Sequence, residues 1–315
     1  MDAPANFIGT SGYDYGWFYT RSDVPSFFPA HITKKDALAY YSTKFNLFEV
    51  NSSYYRAPTE SACKKWFTAT PDNFKFLLKF PRSYCQYFKS IDDVFPAFYK
   101  AVIHLKHKLL GILLQFSPNF VKKDANIQRL QEAAQVFKAH GIQIYVEFRH
   151  ASWHELGETY EFFRELEWVL VNVHHAKTGW WPATFTKTHP EKFMARLHGT
   201  WKFCFGDYSD TELTRLGKYM ADNKGGQNIA TFNNVDSYVG QVYIKDANTD
   251  AEKSVKFNEL KKYGWTDSEI LSYFFNLMAG APHNRDPYVM SPKKGGISEL
   301  LSHAIKNAQT LKALL

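Results

Sequence analysis

Three cysteines are spread over 315 residues, at Cys63, Cys85 and Cys204, and no C-x-x-C pair occurs. An odd, scattered set argues against a disulfide scaffold or a zinc ribbon and suits a reducing compartment. Long apolar runs are missing too. The longest, Leu109 to Leu114, is far short of the roughly twenty residues that cross a bilayer. The opening residues MDAPANFIGT hold no basic stretch followed by an apolar one, so no secretory signal is read. A cytoplasmic protein with no membrane partner is the expectation. No G-x-G-x-x-G follows the first strand-like run and no P-loop lysine motif occurs, which removes two common phosphate cradles. There is no H-E-x-x-H pair to announce a zinc hydrolase.

What is present is apolar, aromatic and mildly basic. Hydrophobic residues make up 45% of the chain, enough for a large core, and Phe and Tyr dominate an aromatic fraction of 17%. Most such rings fill cores, and the rest can stack on sugars or bases. Thirty-eight basic against 31 acidic residues give a net charge of +7, which favours an anionic partner, a phosphate-containing ligand or nucleic acid. The basic residues form no tail, so a mildly basic soluble protein is the alternative.

Short apolar runs recur at a spacing of roughly 25–40 residues, about one βα unit. They fall at 6–12, 45–51, 74–80, 110–116, 142–148, 168–174, 193–199 and 228–234. Helix signals lie between them. Thr33 with Asp36 and Ser209 with Glu212 read as capping boxes, and Ile127, Leu130, Ala134 and Phe137 form a helical stripe stopped by Gly141. Eight strand-like runs alternating with helices predict an α/β fold, a TIM-type (β/α)8 barrel in a single domain spanning 1–315. Gly179 to Pro182 reads as loop. Residues 235–296 are too long for a βα loop and read as an inserted, lid-like subdomain between strand 8 and a last helix at 298–315. In the competing reading the eighth helix is Ala251–Tyr263, followed by an extension.

In such a barrel the C-terminal strand ends line the functional mouth. Those ends are polar throughout: Ser11; Glu49 and Asn51 followed by Tyr55; Lys79 and Arg82; Gln115; Glu147, Arg149 and His150 followed by Trp153; Asn172, His174 and His175; Arg196 and His198; Asn233 and Asn234. Side chains at i and i+2 share a strand face, so Glu147 and Arg149 point the same way. Structural readings stand beside the functional one. Glu147 and Arg149 could be an ion pair fixing register, Lys79 could snorkel out of the rim, the histidines could be satisfied in the core, and Asn233–Asn234 could turn the chain.

The stretches IGTSGYDYGWFY, FEVNSSYYRAP, FLLKFPR, LLQFSPNF, VEFRHASW, ARLHG and FNN, in this order and spacing, resemble the DUF72 (YecE-like) family. The resemblance covers about residues 7–234 and resumes at 303–315. It implies a TIM-type barrel and supports the insertion reading, because family members usually pass from FNN to the last helix by a short loop. It implies little chemistry, since the family has no well-established general activity. Tyr13 stands where a Trp is frequent, and the VNVHH strand end lacks an aspartate often found there.

The residues point first to an enzyme acting on a phosphorylated or otherwise anionic substrate, by phosphoester hydrolysis or a sugar-phosphate isomerase or lyase step. Lys79, Arg82, Arg149 and Arg196 would hold the anion, Glu147 or Glu49 would be the base, and His198 or His150 the proton donor. Ser11, Asn51, Tyr55, Gln115, Trp153, Asn233 and Asn234 would line the pocket. No cofactor is required. A metal-dependent, endonuclease IV-like nuclease is the alternative, with a divalent ion on Glu49, Glu147, His174, His175 and His198. A non-catalytic protein stacking a nucleotide or single-stranded nucleic acid on the rim is a third reading. Oligomeric state is not legible.

Overall fold

The computed structural model describes residues 5–15, 18–19, 27–155, 157–175, 178–200, 208–233 and 303–315. These residues form ten strands, most of them separated by helices: β1 Ala5–Ser11, β2 Leu47–Val50, β3 Lys75–Lys79, β4 Leu109–Gln115, β5 Ile144–Glu147, β6 Val169–Leu170, β7 Asn172–His175, β8 Gly179–Trp181, β9 Lys192–Leu197 and β10 Gln227–Phe232, with β6 to β9 following one another directly. The helices are α1 Ala37–Lys44, α2 Glu60–Thr68, α3 Arg82–Cys85, α4 Ile91–Val102, α5 Asp124–Ala139, α6 Glu158–Glu165, α7 Asp210–Asp222 and α8 His303–Ala313.

The sheet order is β6-β5-β4-β3-β2-β1-β10-β9-β7-β8. All pairings are parallel except β7 with β8. The expected sixth strand is split. Its first half pairs with β5, with Val146 opposite Leu170, and its second half pairs with β9, with Val173 opposite Arg196. Between them the Val171 N–H donates to the Val146 carbonyl at 2.9 Å. The two ends of the sheet are therefore neighbours in one continuous segment, and the eight parallel segments close into a ring.

Packing supports closure. One buried cluster joins Leu47, Leu77, Leu110, Leu113, Tyr145, Val169, Val171, Met194 and Ile229, with Phe7 packed against it. Every segment of the ring contributes to it, as expected of residues facing a common axis. Fully burying each such side chain is worth about 1.5–3 kcal/mol. The alternate positions Phe48, Phe76, Phe148, Leu197 and Phe232 join a second, larger cluster beneath the helices. At Gly9 an added Cβ would lie 1.9 Å from the Leu47 carbonyl oxygen, so glycine is what lets β1 sit this close to β2.

The helix signals are met unevenly. Ser209 and Glu212 form a complete capping box at the start of α7. At 33–36 the Thr33 hydroxyl instead donates to the Asp36 carboxylate at 2.7 Å, and α1 begins only at Ala37. Residues 179–181, expected as loop, form β8, because pairing with β7 supplies hydrogen bonds that local sequence does not announce. α8 buries Ala304, Ile305, Ala308 and Leu311 and packs on β1, β10 and α7, where the last helix of an eightfold barrel belongs. The 235–296 segment lies outside the described residues. No helix among the described residues is long and apolar enough to cross a membrane.

Candidate active site at the barrel mouth

Two residues beyond the apolar plug on each strand, the period-2 rule delivers a polar layer. Leu47 is followed by Glu49, Leu77 by Lys79, Leu113 by Gln115, Tyr145 by Glu147, Met194 by Arg196 and Ile229 by Thr231. Register sets neighbours side by side, with Gln115 opposite Glu147, Ser11 opposite Glu49 and Arg196 opposite Thr231.

Arg196 is the centre of this layer and is fully buried. Its Nε donates to Glu49 Oε2 at 2.9 Å and its NH2 to Glu49 Oε1, a two-pronged pairing. Its NH1 donates to Glu147 and, at 3.0 Å, to Gln115 Oε1. Thr231 Oγ1 donates to Glu49 Oε2 at 2.7 Å. Burial alone would raise the carboxyl pKa values. For Glu49 it is outweighed by Arg196 and Lys79, and for Glu147 by Arg149 and Arg196, so both lie below the ordinary range. Burial likewise opposes the Arg196 charge, but Glu147 and Glu49 more than compensate. Arg196, expected among the anion-holding residues, is thus occupied from within: it neutralises carboxylates and has no exposure to a ligand.

One further step up each strand gives a second polar layer. Arg149 donates through Nε to Glu147, through NH1 to His175 Nε2 and through NH2 to His198 Nε2 at 3.1 Å. Arg196 NH1 lies 3.3 Å from the same His198 nitrogen. Guanidinium nitrogens only donate, so toward Arg149 and Arg196 the His198 Nε2 can serve only as an acceptor. The Asn233 amide nitrogen lies 2.9 Å from the other ring nitrogen, Nδ1. Burial and the two arginines hold the His198 pKa well below its ordinary value, in keeping with a neutral ring. Asn51 Nδ2 donates to the Ser11 carbonyl at 3.2 Å, tying β1 to β2, and the buried Ser11 side chain adjoins Glu49.

Lys79 differs from the other cations. It is only 8% exposed, yet among the described residues its ammonium has no hydrogen-bonding partner and no carboxylate within ion-pair distance. The ammonium sits over the Tyr54 ring, 4.4 Å from its centroid. Burial and the positive Arg196 and Arg149 lower its pKa to about 8, with Glu49 and Glu147 pulling the other way. Two carboxylates against Arg149, Arg196 and Lys79 leave a charge of one positive. Farther out, the Arg82 guanidinium lies over Tyr55 and Tyr87 at 5.2 and 5.6 Å, and both rings are exposed.

Other expected site residues fall elsewhere. Trp153 is fully buried in a pile with Phe116, Phe120 and Phe148, and its indole donates to the Phe120 carbonyl at 2.6 Å, so it is core rather than pocket wall. His150 Nδ1 accepts from the Ser152 N–H, capping a turn, and none of its hydrogen bonds reaches the ion group. His174 lies on the helix-facing side of β7, its Nδ1 2.9 Å from the Tyr208 hydroxyl. Asn172 is buried and brackets Thr186. Asn234 lies outside the described residues. Thr231 and Tyr54 belong to the site and were not singled out for these roles. Thr231 was signalled by its parity with Ile229 and its place beside Arg196.

The donor set does not fit a metal cluster. The carboxylate oxygens already accept from Arg196, Arg149 and Thr231, and no group of three or more His, Cys, Asp or Glu among the described residues is arranged to hold an ion.

A closed α/β barrel with its polar residues gathered at the C-terminal strand ends defines a TIM-type barrel protein. The chain belongs to the DUF72 family: the family described as "Protein of unknown function DUF72" matches residues 7–252. It is similar to the UPF0759 protein YunF of Bacillus subtilis (strain 168), 26% identical over 206 residues that cover 61% of this chain and 70% of that protein. The fold is shared with a DUF72 family protein from Thermotoga maritima MSB8, with a TM-score of 0.61, 24% identity, and coverage of 73% of this chain and 92% of that one. It is shared also with one from Enterococcus faecalis V583, with a TM-score of 0.60, 23% identity, and coverage of 73% and 89%.

Proposed function

We propose that the protein is an enzyme acting on a small phosphorylated or otherwise anionic substrate at the barrel mouth, with Lys79 meeting the anion. The observation that carries this reading is the uneven pairing of charge. Glu49 and Glu147 are bonded to Arg196 and Arg149, while among the described residues the largely buried Lys79 has no carboxylate within ion-pair distance. The like charges of Arg196 and Arg149 act against the Lys79 ammonium, and an anion that joins it would offset them.

The same geometry favours a proton-transfer reaction, of isomerase or lyase type, over phosphoester hydrolysis. Hydrolysis needs an activated water, and both carboxylates are clamped by arginines and held too acidic to be good bases. Lys79, at about 8, is the group poised near neutrality. Inorganic phosphate and a series of sugar phosphates titrated calorimetrically into wild type and Lys79→Met test the reading. An affinity lower by about tenfold or more in the variant is expected for one lost charge-assisted contact. Equal affinity in both proteins would remove it.

A second reading rests on the outer rim. Tyr55, Arg82 and Tyr87 present exposed rings around a cation, a surface on which bases of single-stranded nucleic acid stack. Oligonucleotide affinity that falls steeply with salt and is lost in Tyr55→Ala would support it. Salt-independent or absent binding would dismiss it.

A further inference from the structure

We infer that Lys79 is a covalent group: its amine condenses with an aldehyde or ketone on the anionic substrate and carries the reaction as a protonated imine. This deepens the reading of the mouth as an anion pocket and rests on it, naming the substrate as a carbonyl compound that also bears phosphate or carboxylate.

Three features argue for it. First, the nitrogen is uncommitted. Among the described residues no oxygen lies within hydrogen-bonding distance of the Lys79 ammonium, so its lone pair, once the proton leaves, is not diverted into a contact of the fold. Secondly, its side chain is largely buried and rests on an aromatic ring. Tyr54 is beneath it, and the buried Cys85 is close enough for its charge to be felt. Such a setting keeps an amine from its hydrated, protonated form, which supports nucleophilic use of a lysine. Thirdly, the charge balance survives the step. The ammonium and the carbonyl combine to give a protonated imine and one water, forming the carbon–nitrogen bond and releasing the carbonyl oxygen as that water. The positive charge that faces Glu49 and Glu147 is therefore present before and after. No oxidant or reductant is required. The protonated imine draws in the electron pair of a neighbouring carbon–hydrogen bond, whose proton passes to solvent water, to give an enamine; return of a proton to the enamine and hydrolysis of the resulting imine by water release the product and restore the amine.

The contrast with another buried lysine sharpens the point. Lys108 lies over the Phe67 ring at the same 4.4 Å, but its ammonium donates to the Phe67 and Thr70 carbonyls at 2.7 and 2.6 Å. Lys108 is hydrogen-bonded, and among the described residues Lys79 has no such partner.

The test is reductive trapping. The full chain is incubated with dihydroxyacetone phosphate, glyoxylate or pyridoxal 5′-phosphate and sodium cyanoborohydride, and the modified peptides are mapped by mass. The expected result is an adduct at Lys79 at about tenfold or greater occupancy than at the exposed Lys64 and Lys100. Lys79→Arg should lose the adduct while keeping inorganic phosphate affinity within about threefold, since it retains a cation but no usable amine. Adducts confined to surface lysines, with phosphate still bound by wild type, would overturn the imine and leave the anion pocket standing. Absence of phosphate binding to wild type would overturn both. Circular dichroism of Lys79→Arg and Lys79→Met identifies a variant that has lost its fold, and trapping on wild type needs neither.

Discussion

Among the described residues two lysines are buried, one at each end of the barrel. Lys108 precedes β4 at the N-terminal face, 2% exposed, and its ammonium closes the carbonyl end of α2 by donating to Phe67 and Thr70. Lys79 closes β3 at the C-terminal face, 8% exposed, with an aromatic ring and no acceptor. The two sites share burial and a ring at one distance, so neither burial nor the ring separates function from structure here. The difference is whether the donors are satisfied. At the bottom the cation completes a helix end. At the top no acceptor among the described residues meets it. The lesson is that the mouth is strained electrostatically in a way the base is not, and that stability and binding should respond oppositely to changes at the two ends.

The largest effect should come from removing the clamp at the top. Arg196→Met leaves Glu49 and Glu147 buried and facing one another, and should cost about 3–5 kcal/mol in denaturant unfolding. A loss below about 1 kcal/mol would mean that the carboxylates find other partners. The comparison itself is broken or kept by a pair of variants. Lys108→Met strips two carbonyls of their donor and should destabilise by about 1–3 kcal/mol. Lys79→Met removes a buried cation with no hydrogen bond and should leave stability unchanged or raised while phosphate affinity collapses. If the two variants lose equal stability, the ends are not distinct.

A subtler test is pH. Lys79 has a folded pKa of about 8, below its ordinary 10.5, so between those values the unfolded chain binds more protons and stability rises with pH. That rise should vanish in Lys79→Met, and phosphate affinity in the wild type should fall through the same window as the cation is lost. On the acid side the signs agree with one another. His198 and His174 have lowered pKa values, His198 well below its ordinary 6.5, and Glu49 and Glu147 lie below 4.5. The unfolded state therefore binds protons first, and thermal midpoints should fall progressively below about pH 6.5. The smallest effect is expected at the exposed rim, where Tyr55→Ala should alter stability by less than about 0.5 kcal/mol.

Much of this architecture was legible locally. Eight apolar runs with polar exits, and the rule that i and i+2 share a face, were enough to place Glu49, Lys79, Glu147, Arg149, Arg196 and His198 around one mouth. What they do to one another was not legible. The pairing of Arg196 with Glu49 spans 147 residues, and only ring closure brings them together. Before closure is known, Arg196 reads as a cation waiting for a ligand; after it, the guanidinium is consumed. Trp153 misled for a related reason. Past the end of a strand the alternation of faces lapses, and the turn at 151–153 directs the indole under the helices instead of over the mouth. β8 was read as loop because its strand character comes from β7 and not from its own three residues. Separating Lys79 from Lys108 required knowing which carbonyls lay nearby, information no spacing carries.

The divided strand at 169–175 has a consequence for assembly. Its halves serve β5, just before it in the chain, and β9, well after it. Neither arc of the barrel is complete until this stretch is in step with both, and a slip of one residue would exchange the faces of Val171, Val173 and His175. Arg149 on one arc touches His175 on this stretch and His198 on the other arc. The join of the hoop and the polar cluster at the mouth are thus proofread together: a barrel fastened out of register would be one without that cluster.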